Sequence, residues 1–165
     1  MSGSRRKSYE AGHRPKFLAV ADESEECSRA IRFAARRASR TGAGVILLAV
    51  AAEGEFQQWL GVGDVMKEEA EDAARAMLEK HAASARAIAG IEPELLVRSG
   101  AKAEEILKLI NEDEDIAFFV LAAGTGSEGP GPLVSALAGK AAGSFPIPVV
   151  IVPGGLTDDE IDALT

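Results

Sequence analysis

A glycine-rich turn is the part of this sequence best suited to hold a ligand. The segment GTGSEGPGP places Gly124, Gly126 and Gly129 in Gly-x-Gly-x-x-Gly spacing, and Ser135 follows a little further along the chain. Because glycines lack a Cβ atom, they let a chain turn its amide N–H groups inward, where those groups can hold a phosphate. The alternative is that the glycines and prolines only give the loop a stiff shape. The residue types alone leave both interpretations open.

Two familiar phosphate-binding motifs are excluded by what surrounds these glycines. In a dinucleotide-binding protein the fingerprint ends the first strand, and an acidic residue follows about 20 positions later. Here the glycines follow the fourth apolar run and lead into Pro130 and Pro132. A P-loop needs Ser or Thr after its Gly-Lys pair, but Gly139 and Lys140 are followed by Ala141. We therefore expect neither a dehydrogenase nor a P-loop enzyme.

Other polar residues with chemical potential lie apart from this turn. Asp22 is either a clamp for a ribose or the main chain, or a carboxylate that the dipole of the following helix favours. Cys27 fits the apolar stripe of that helix, so we expect it to pack in the core. His81 has no suitably spaced partner for a metal site. No nucleophile, base and orienting group can be assembled, so the residues favour a binding module over an enzyme.

Length and composition exclude several classes of protein. The 165 residues fit one domain, and 47% hydrophobic with 27% charged residues is typical of a globular protein. The net charge of −8 opposes binding to nucleic acid, and no apolar run is long enough to cross a membrane. A single cysteine cannot form an internal disulfide, so we expect a cytoplasmic location.

Residues 1–16 differ in charge from the rest of the chain. They contain five basic residues and one acidic residue, so the start is basic while the body is acidic. The apolar run of a secretory signal does not follow them. We expect a solvated, disordered tail in this position.

Five short apolar runs alternate with segments of helical periodicity. The runs are rich in Val, Ile, Leu and Phe and rarely alternate with polar residues, which is typical of strands buried on both faces of a parallel sheet. They cover residues 17–21, 45–51, 95–97, 116–122 and 149–152. Apolar residues three and four positions apart predict helices between them, from Ser24 as N-cap to residue 41, then over residues 62–89, from 103 to the acidic run at 112–115, and over 133–141.

This order of elements predicts a doubly wound α/β fold. It is a three-layer sandwich in which a five-stranded parallel sheet carries helices on both faces. Ligands of such folds bind at the carboxyl ends of the strands. The turns in which to look for a site are therefore residues 22–24, 53–65, 99–102 and 124–132.

The chain resembles the universal stress protein family across about residues 17–153. The resemblance is carried by FLAVADES, GVILLAVA, EDEDIAFFVLAAGTGSEG and PLVSALAGKAAGSFPIPVVIVP, in that order. It implies an adenine nucleotide alpha hydrolase-like (Rossmann-like) fold with strand order 3-2-1-4-5. It also implies frequent homodimers formed through the fifth strands. Some members of the family bind ATP and others do not.

The resemblance also implies which residues frame a nucleotide. The aspartate that ends the family's first strand falls on Asp22, between Val20 and Ser24, and the valine late in the second strand falls on Val50. The family's Gly-x2-Gly-x9-Gly-(Ser/Thr) motif falls, counting back from Pro148, on Ala122, Thr125, Ser135 and Ala136, none of which matches. The candidate nucleotide-binding residues are Val20, Asp22, Ser24, Val50, Gly124, Gly126, Gly129 and Ser135.

Two classes of function follow from this resemblance. One is a homodimeric stress-response or regulatory protein with degenerate or weak adenine-nucleotide binding, which works by contact with an unidentified protein partner. The other is an ATP- or AMP-binding stress protein that uses GTGSEG as a reshaped loop, with slow hydrolysis. The missing Gly-Ser pair favours the first, whereas Asp22, Val50 and the glycine-rich turn favour the second. ATP or AMP is the cofactor that the resemblance implies, and the residues name none themselves.

The last apolar run, PIPVVIVP, is the expected dimer interface. In the implied strand order it lies at the edge of the sheet, where unpaired N–H and C=O groups need a cover. Pairing about a two-fold axis satisfies both copies. The residues concerned are Pro148, Val149, Val150, Ile151 and Val152. Residues 154–165 form an acidic tail, predicted as a short capped helix that folds over this seam through Leu156, Ile161 and Leu164.

Three further segments have simple interpretations. Phe56, Trp59 and Leu60 follow the second strand and form either a lid over the ligand end of the sheet or a turn packed on the long helix or a partner. The arginines of the first helix are expected to form its solvated face. The acidic run at residues 112–115 is expected to be a solvated turn.

Overall fold

The computed structural model describes residues 5–51 and 63–165 of the chain. Phe56, Trp59 and Leu60 lie outside the described residues. The strands are β1 (Lys16–Val20), β2 (Gly44–Ala51), β3 (Glu94–Ser99), β4 (Ile116–Ala123) and β5 (Val149–Pro153). The helices are α1 (Cys27–Thr41), α2 (Gly63–Ala89), α3 (Lys102–Glu112), α4 (Pro132–Ala138) and α5 (Asp158–Leu164).

The strands form one parallel sheet in the order β3-β2-β1-β4-β5. Side chains of β1 alternate between two cores: Phe17 and Ala19 pack with α1 and α2, whereas Leu18 and Val20 pack with α3 and α4. All four side chains are buried, which explains why the run carries no polar residue on either face. The predicted doubly wound fold is confirmed, together with the strand order that the resemblance implied.

Two helix boundaries differ from the prediction. Helix α1 begins at Cys27 without a side-chain cap, because Ser24, the predicted N-cap, bonds instead to Asp22. Helix α4 ends at Ala138 rather than at residue 141. Neither change moves the carboxyl ends of the strands, so the expected location of the site is unaffected.

The basic segment before β1 is held against the acidic run that follows α3. The Lys7 amide donates to the Glu114 carbonyl at 2.9 Å, and His13 Nδ1 lies 2.7 Å from Asp115 Oδ1. Over the described residues this segment therefore packs on the domain, which differs from the disordered tail that its composition predicts. The acidic run, expected to be a solvated turn, supplies the partners.

Helix α5 confirms the short capped helix predicted for the acidic tail. Thr157 Oγ1 accepts a hydrogen bond from the Glu160 amide, and the Glu160 carboxylate accepts one from the Thr157 amide, which together form a capping box. Ile161 is fully buried, whereas Leu164 is 64% exposed. The helix packs mainly on α1, and Ile161 shares a core cluster with Val152 of β5. The fold-back over the β5 seam stays a prediction.

Three arginines of α1, Arg29, Arg32 and Arg36, are not solvated as expected, because each contacts the segment 156–162. Arg37 and Arg40 are exposed, but the Arg32 guanidinium donates two hydrogen bonds to the Asp162 carboxylate, at 2.8 and 2.7 Å. These bonds raise the pKa of Arg32 and lower the pKa of Asp162. The prediction failed for Arg32 because its partner belongs to α5, which is distant in sequence.

Candidate functional site

The turn after β1 is organised by the side chain of Asp22. Its Oδ1 accepts hydrogen bonds from the Ser24 amide, at 2.9 Å, and from the Ser24 hydroxyl. In such a turn a short acidic side chain takes the place of a backbone carbonyl. The second carboxylate oxygen, Oδ2, stays available to the solvent side and lies 4.0 Å from Lys102 Nζ.

A cleft of about 350 Å³ opens between the ends of β1 and β2 and the side of α2, and we call it the α2 cleft. Its charged groups are Asp22, Glu23 and Lys102, and the rest of its lining is apolar. The apolar members are Ala21, Ala49, Val50, Ala51, Ala70, Ala73, Ala74 and Met77. An apolar wall with a few polar groups at one end is the usual design of a site for a small organic ligand, such as a base with its ribose.

A second cleft, of about 180 Å³, opens between β1, β4 and the turn before α4, and we call it the loop cleft. Asp22 and Lys102 line it as well, so the two clefts adjoin at this pair of side chains. Glu26 adds a second carboxylate. The other lining residues are Val20, Ser24, Cys27, Ala30, Leu121, Ala122, Pro130, Gly131, Pro132, Leu133 and Val134.

The glycine-rich loop beside this cleft is bonded to itself. The Gly124 amide donates to the Pro130 carbonyl at 3.0 Å, and the Gly129 amide donates to the Gly126 carbonyl at 3.1 Å. Gly129 has φ of +91°, a conformation that glycine adopts without steric cost. Because these two amide hydrogens are already used inside the loop, they are not free to hold a phosphate.

The Glu26 side chain packs against the start of this loop. A Cβ atom built on Gly124 would stand 3.1 Å from Glu26 Oε1 and 3.2 Å from the Gly129 carbonyl oxygen. Glycine at position 124 thus makes room for a carboxylate in the loop. A carboxylate in this position repels an anionic group that enters the loop cleft.

Beneath Asp22, a thiol joins the turn to helix α2. Cys27 Sγ lies 3.4 Å from the Asp22 amide nitrogen, which donates to it, and 4.0 Å from His81 Nε2. Burial raises the pKa of Cys27 to about 12, and nearby carboxylates add to that effect. Burial also lowers the pKa of His81. A thiol with so high a pKa is not a nucleophile at neutral pH, which agrees with the expected packing role.

The predicted site residues divide into two groups in the structure. Val20, Asp22, Ser24 and Val50 line one cleft or the other. The glycines of GTGSEG and Ser135 are not among the lining residues of either cleft. Gly126 has open space around its backbone, and Ser135 is exposed on α4. A role in binding for this second group stays a prediction.

Two residues of the site were missed by the sequence reasoning. Lys102 lines both clefts and Glu26 lines the loop cleft. A signal existed for Lys102, because it opens the helix after β3 and therefore stands at the carboxyl end of the sheet. No comparable signal existed for Glu26, since its contact with Gly124 depends on how α1 meets the loop.

The described residues limit two other kinds of function. In residues 5–51 and 63–165, no group of three or more His, Cys, Asp or Glu side chains is placed to hold a metal ion. Among the same residues, no helix is both long enough and apolar enough to cross a membrane.

The parallel sheet, with two clefts joined at its carboxyl end, defines a doubly wound α/β module of the kind that binds its ligands at this edge. The family model of the universal stress protein family matches residues 13–153. The chain therefore belongs to the universal stress protein family. No curated protein matches the sequence closely enough to count as a relative.

Solved structures of this family share the fold. The universal stress protein UspA from Lactobacillus plantarum is 16% identical, with a TM-score of 0.69 over 84% of this chain and 97% of that one. A universal stress protein in complex with cAMP is 18% identical, with a TM-score of 0.59 over 86% and 98%. The universal stress protein from Archaeoglobus fulgidus in complex with dAMP is 22% identical, with a TM-score of 0.55 over 84% and 96%. At these identities the likeness extends to the fold alone.

Strand β5 lies at one edge of the sheet, paired with β4 on one side and with no other strand of the described residues. Val152 is buried, Val149 and Val150 are half-buried, and Pro148 and Ile151 are exposed, Ile151 by 37%. An apolar edge strand of this kind is a ready partner for a second strand.

Proposed function

We propose that this protein is a homodimeric regulatory module of the stress response that binds adenine nucleotides weakly at the joined clefts. The observation that carries the proposal is the apolar α2 cleft with Asp22 and Lys102 at its mouth, beside a glycine loop bonded to itself. The α2 cleft supports binding of a base, and the closed loop argues for low affinity. A free, buried Cys27 is compatible with a cytoplasmic location.

Two relatives support the choice of ligand class. The structures in complex with cAMP and with dAMP belong to proteins of the same fold, and each of those ligands carries an adenine base and one phosphate. The wall of the α2 cleft around Val50 and Met77 offers apolar surface to such a base. Asp22 stands where it can accept a hydrogen bond from a ribose hydroxyl.

Calorimetric titration tests the nucleotide part of the proposal. We expect measurable binding of at least one of adenosine, AMP and ATP, with a dissociation constant for ATP weaker than about 10 μM, which corresponds to about 7 kcal/mol. A lower dissociation constant for ATP would show that the loop works as a full phosphate site. No binding of any of the three at about 1 mM would overturn the proposal. Native mass spectrometry of freshly purified protein adds a second readout, since it reports any nucleotide that the protein carries.

The dimer part of the proposal places β5 against β5 of a second copy. Pairing there covers the N–H and C=O groups of the edge together with Ile151, and the two prolines Pro148 and Pro153 limit the paired length. Since α5 packs mainly on α1, it leaves this edge to a second copy.

Light scattering tests the dimer. The unmutated protein is expected at twice the 17.2 kDa of one chain at micromolar concentration. Val150→Asp should give monomers or insoluble protein, because each dimer would bury two unpaired carboxylates side by side. Leu164→Asp is the matched control, since Leu164 is exposed on α5 and its change should leave assembly unaltered. A monomer of the unmutated protein would overturn this part.

A further inference from the structure

Lys102 stands at the junction of the two clefts and is loosely held there. Among the described residues that line the clefts, it is the only cation. Its Nζ lies 4.0 Å from Asp22 Oδ2, and the two side chains are 40% and 39% exposed. An ion pair this exposed contributes about 0.2 to 1 kcal/mol. Lys102 can therefore exchange the Asp22 carboxylate for an anionic group of a ligand at little cost.

The clefts as a whole are short of positive charge. The α2 cleft sets Asp22 and Glu23 against Lys102, and the loop cleft sets Asp22 and Glu26 against the same lysine. A single phosphate beside Lys102 finds a counter-ion. Any further phosphate that extends beyond Lys102 enters the loop cleft and meets Glu26 without a second cation.

Two amides of the loop are already used and do not make up for this shortage. The amides of Gly124 and Gly129 donate within the loop, at 3.0 and 3.1 Å. The Ser24 hydroxyl donates to Asp22. Compared with these three groups, Lys102 is the one whose bond is long and exposed.

We propose that the site selects adenine nucleotides with one phosphate over those with three, with Lys102 as the counter-ion of that phosphate and Glu26 as the group that repels longer phosphate chains. The inference rests on the proposed function and names the ligand class within it. It assigns the discrimination to charge at the junction of the clefts and not to the shape of the glycine loop.

Titration of four variants with AMP and with ATP, in the presence of a chelator, tests the inference. The unmutated protein should bind AMP about tenfold more tightly than ATP. Glu26→Gln removes the repelling charge and should bring the dissociation constant of ATP to within about threefold of that of AMP. Lys102→Met should weaken the binding of AMP about tenfold. The matched controls are Glu25→Gln, on the same turn but exposed, and Lys108→Met, on α3 and paired with Glu105. Both control residues are absent from the lining of either cleft, so both should bind like the unmutated protein.

The outcomes separate the two proposals. Equal or tighter binding of ATP by the unmutated protein would overturn the selectivity while leaving nucleotide binding intact. Equal losses in Lys102→Met and Lys108→Met would overturn the role of Lys102, because a change of net charge would then account for both. If neither nucleotide binds, the proposed function itself fails. Thermal unfolding of each variant shows that a loss of binding is not a loss of fold.

Discussion

The α2 cleft and the loop cleft share Asp22 and Lys102, but the rest of their linings differ in chemistry. The α2 cleft is walled by small apolar side chains of β2 and α2, and its charged groups sit at the mouth. The loop cleft is smaller, contains a carboxylate in its wall, and is bordered by a loop whose amides donate within it. The α2 cleft offers apolar surface to a ligand, whereas the loop cleft is smaller and presents a carboxylate.

Under the proposed function, this difference means that the two clefts contribute unequally to the binding of a ligand. The α2 cleft depends on residues that the sheet and α2 hold in any case, such as Ala49 and Val50. On the side of the loop cleft, the amides of Gly124 and Gly129 are used within the loop itself. Changes on the loop side should therefore alter stability, and changes at Asp22 should alter both stability and binding.

The largest effect is expected at Gly154, behind the loop cleft. A Cβ atom at this position would overlap the Ala123 carbonyl oxygen and stand 3.0 Å from Glu26 Cβ. Since a backbone atom cannot move aside cheaply, Gly154→Ala should cost about 2 to 3 kcal/mol of unfolding free energy. Gly126→Ala is the control, because no atom lies within 4 Å of its Cβ position, and it should cost less than about 0.5 kcal/mol. Equal urea midpoints for the two variants would contradict the packing described.

The next effect is expected at Asp22, where the clefts meet. Asp22→Ala removes the acceptor of two hydrogen bonds from Ser24 and should cost about 1 to 2 kcal/mol, together with nucleotide binding. Asp22→Asn keeps an acceptor oxygen, so it should recover most of the stability. Thermal unfolding measures the first effect and calorimetric titration the second. Equal stability of the two variants would contradict the stabilising role of the hydrogen bonds that Asp22 accepts from Ser24.

An effect on stability alone is expected at Gly124, where the loop accommodates Glu26. In Gly124→Ala the new methyl group stands 3.1 Å from a flexible carboxylate, which can yield, and 3.2 Å from the Gly129 carbonyl oxygen, which yields less readily, so the cost should be about 1 to 2 kcal/mol. If the contact with Glu26 causes it, Glu26→Ala should relieve part of that cost in the double variant. Additive losses in a double-mutant cycle would show that the two residues do not interact.

The smallest effect concerns His81, which lies under the shared mouth of both clefts. Its pKa in the folded protein is lowered by burial, so the unfolded chain binds a proton first as the pH falls. Stability should therefore decline as the pH falls through about 6.5, the ordinary pKa of histidine, with a shift in melting temperature on the order of 1 °C. His81→Gln should remove that part of the decline. The lowered pKa of Asp162 acts below this pH range, because its contribution is lost only as the carboxylate titrates.

Most of the fold was predictable because its signals are local. The run FLAVA has no polar residue in its middle, and the structure buries Leu18 and Ala19 on opposite faces. Such a run has few alternatives to a central parallel strand. The capped helix α5 was also predictable, since Thr157 and Glu160 satisfy a spacing rule within four residues.

The site was predictable only in part, because its other half depends on distant contacts. Asp22 and Val50 stand at strand ends and could be found from the order of elements and the family resemblance. Glu26 acquires its role only where α1 meets the loop after β4, about 100 residues away in the chain. The same reason explains Arg32, whose bonds to Asp162 span 130 residues.

These contacts between segments distant in sequence also set the order in which parts of the fold can form. Strand β1 pairs with β2 soon after it is synthesised, but its other edge waits for β4, with Lys16 opposite Ile116. The arginine-bearing face of α1 gains its partner later still, because that partner, Asp162, belongs to α5. Contacts between distant segments are formed late and slow the folding of a chain, because the loop that joins them must close first. A newly made chain therefore exposes the apolar edge of β1 until β4 arrives and the charged flank of α1 until α5, its last element, arrives.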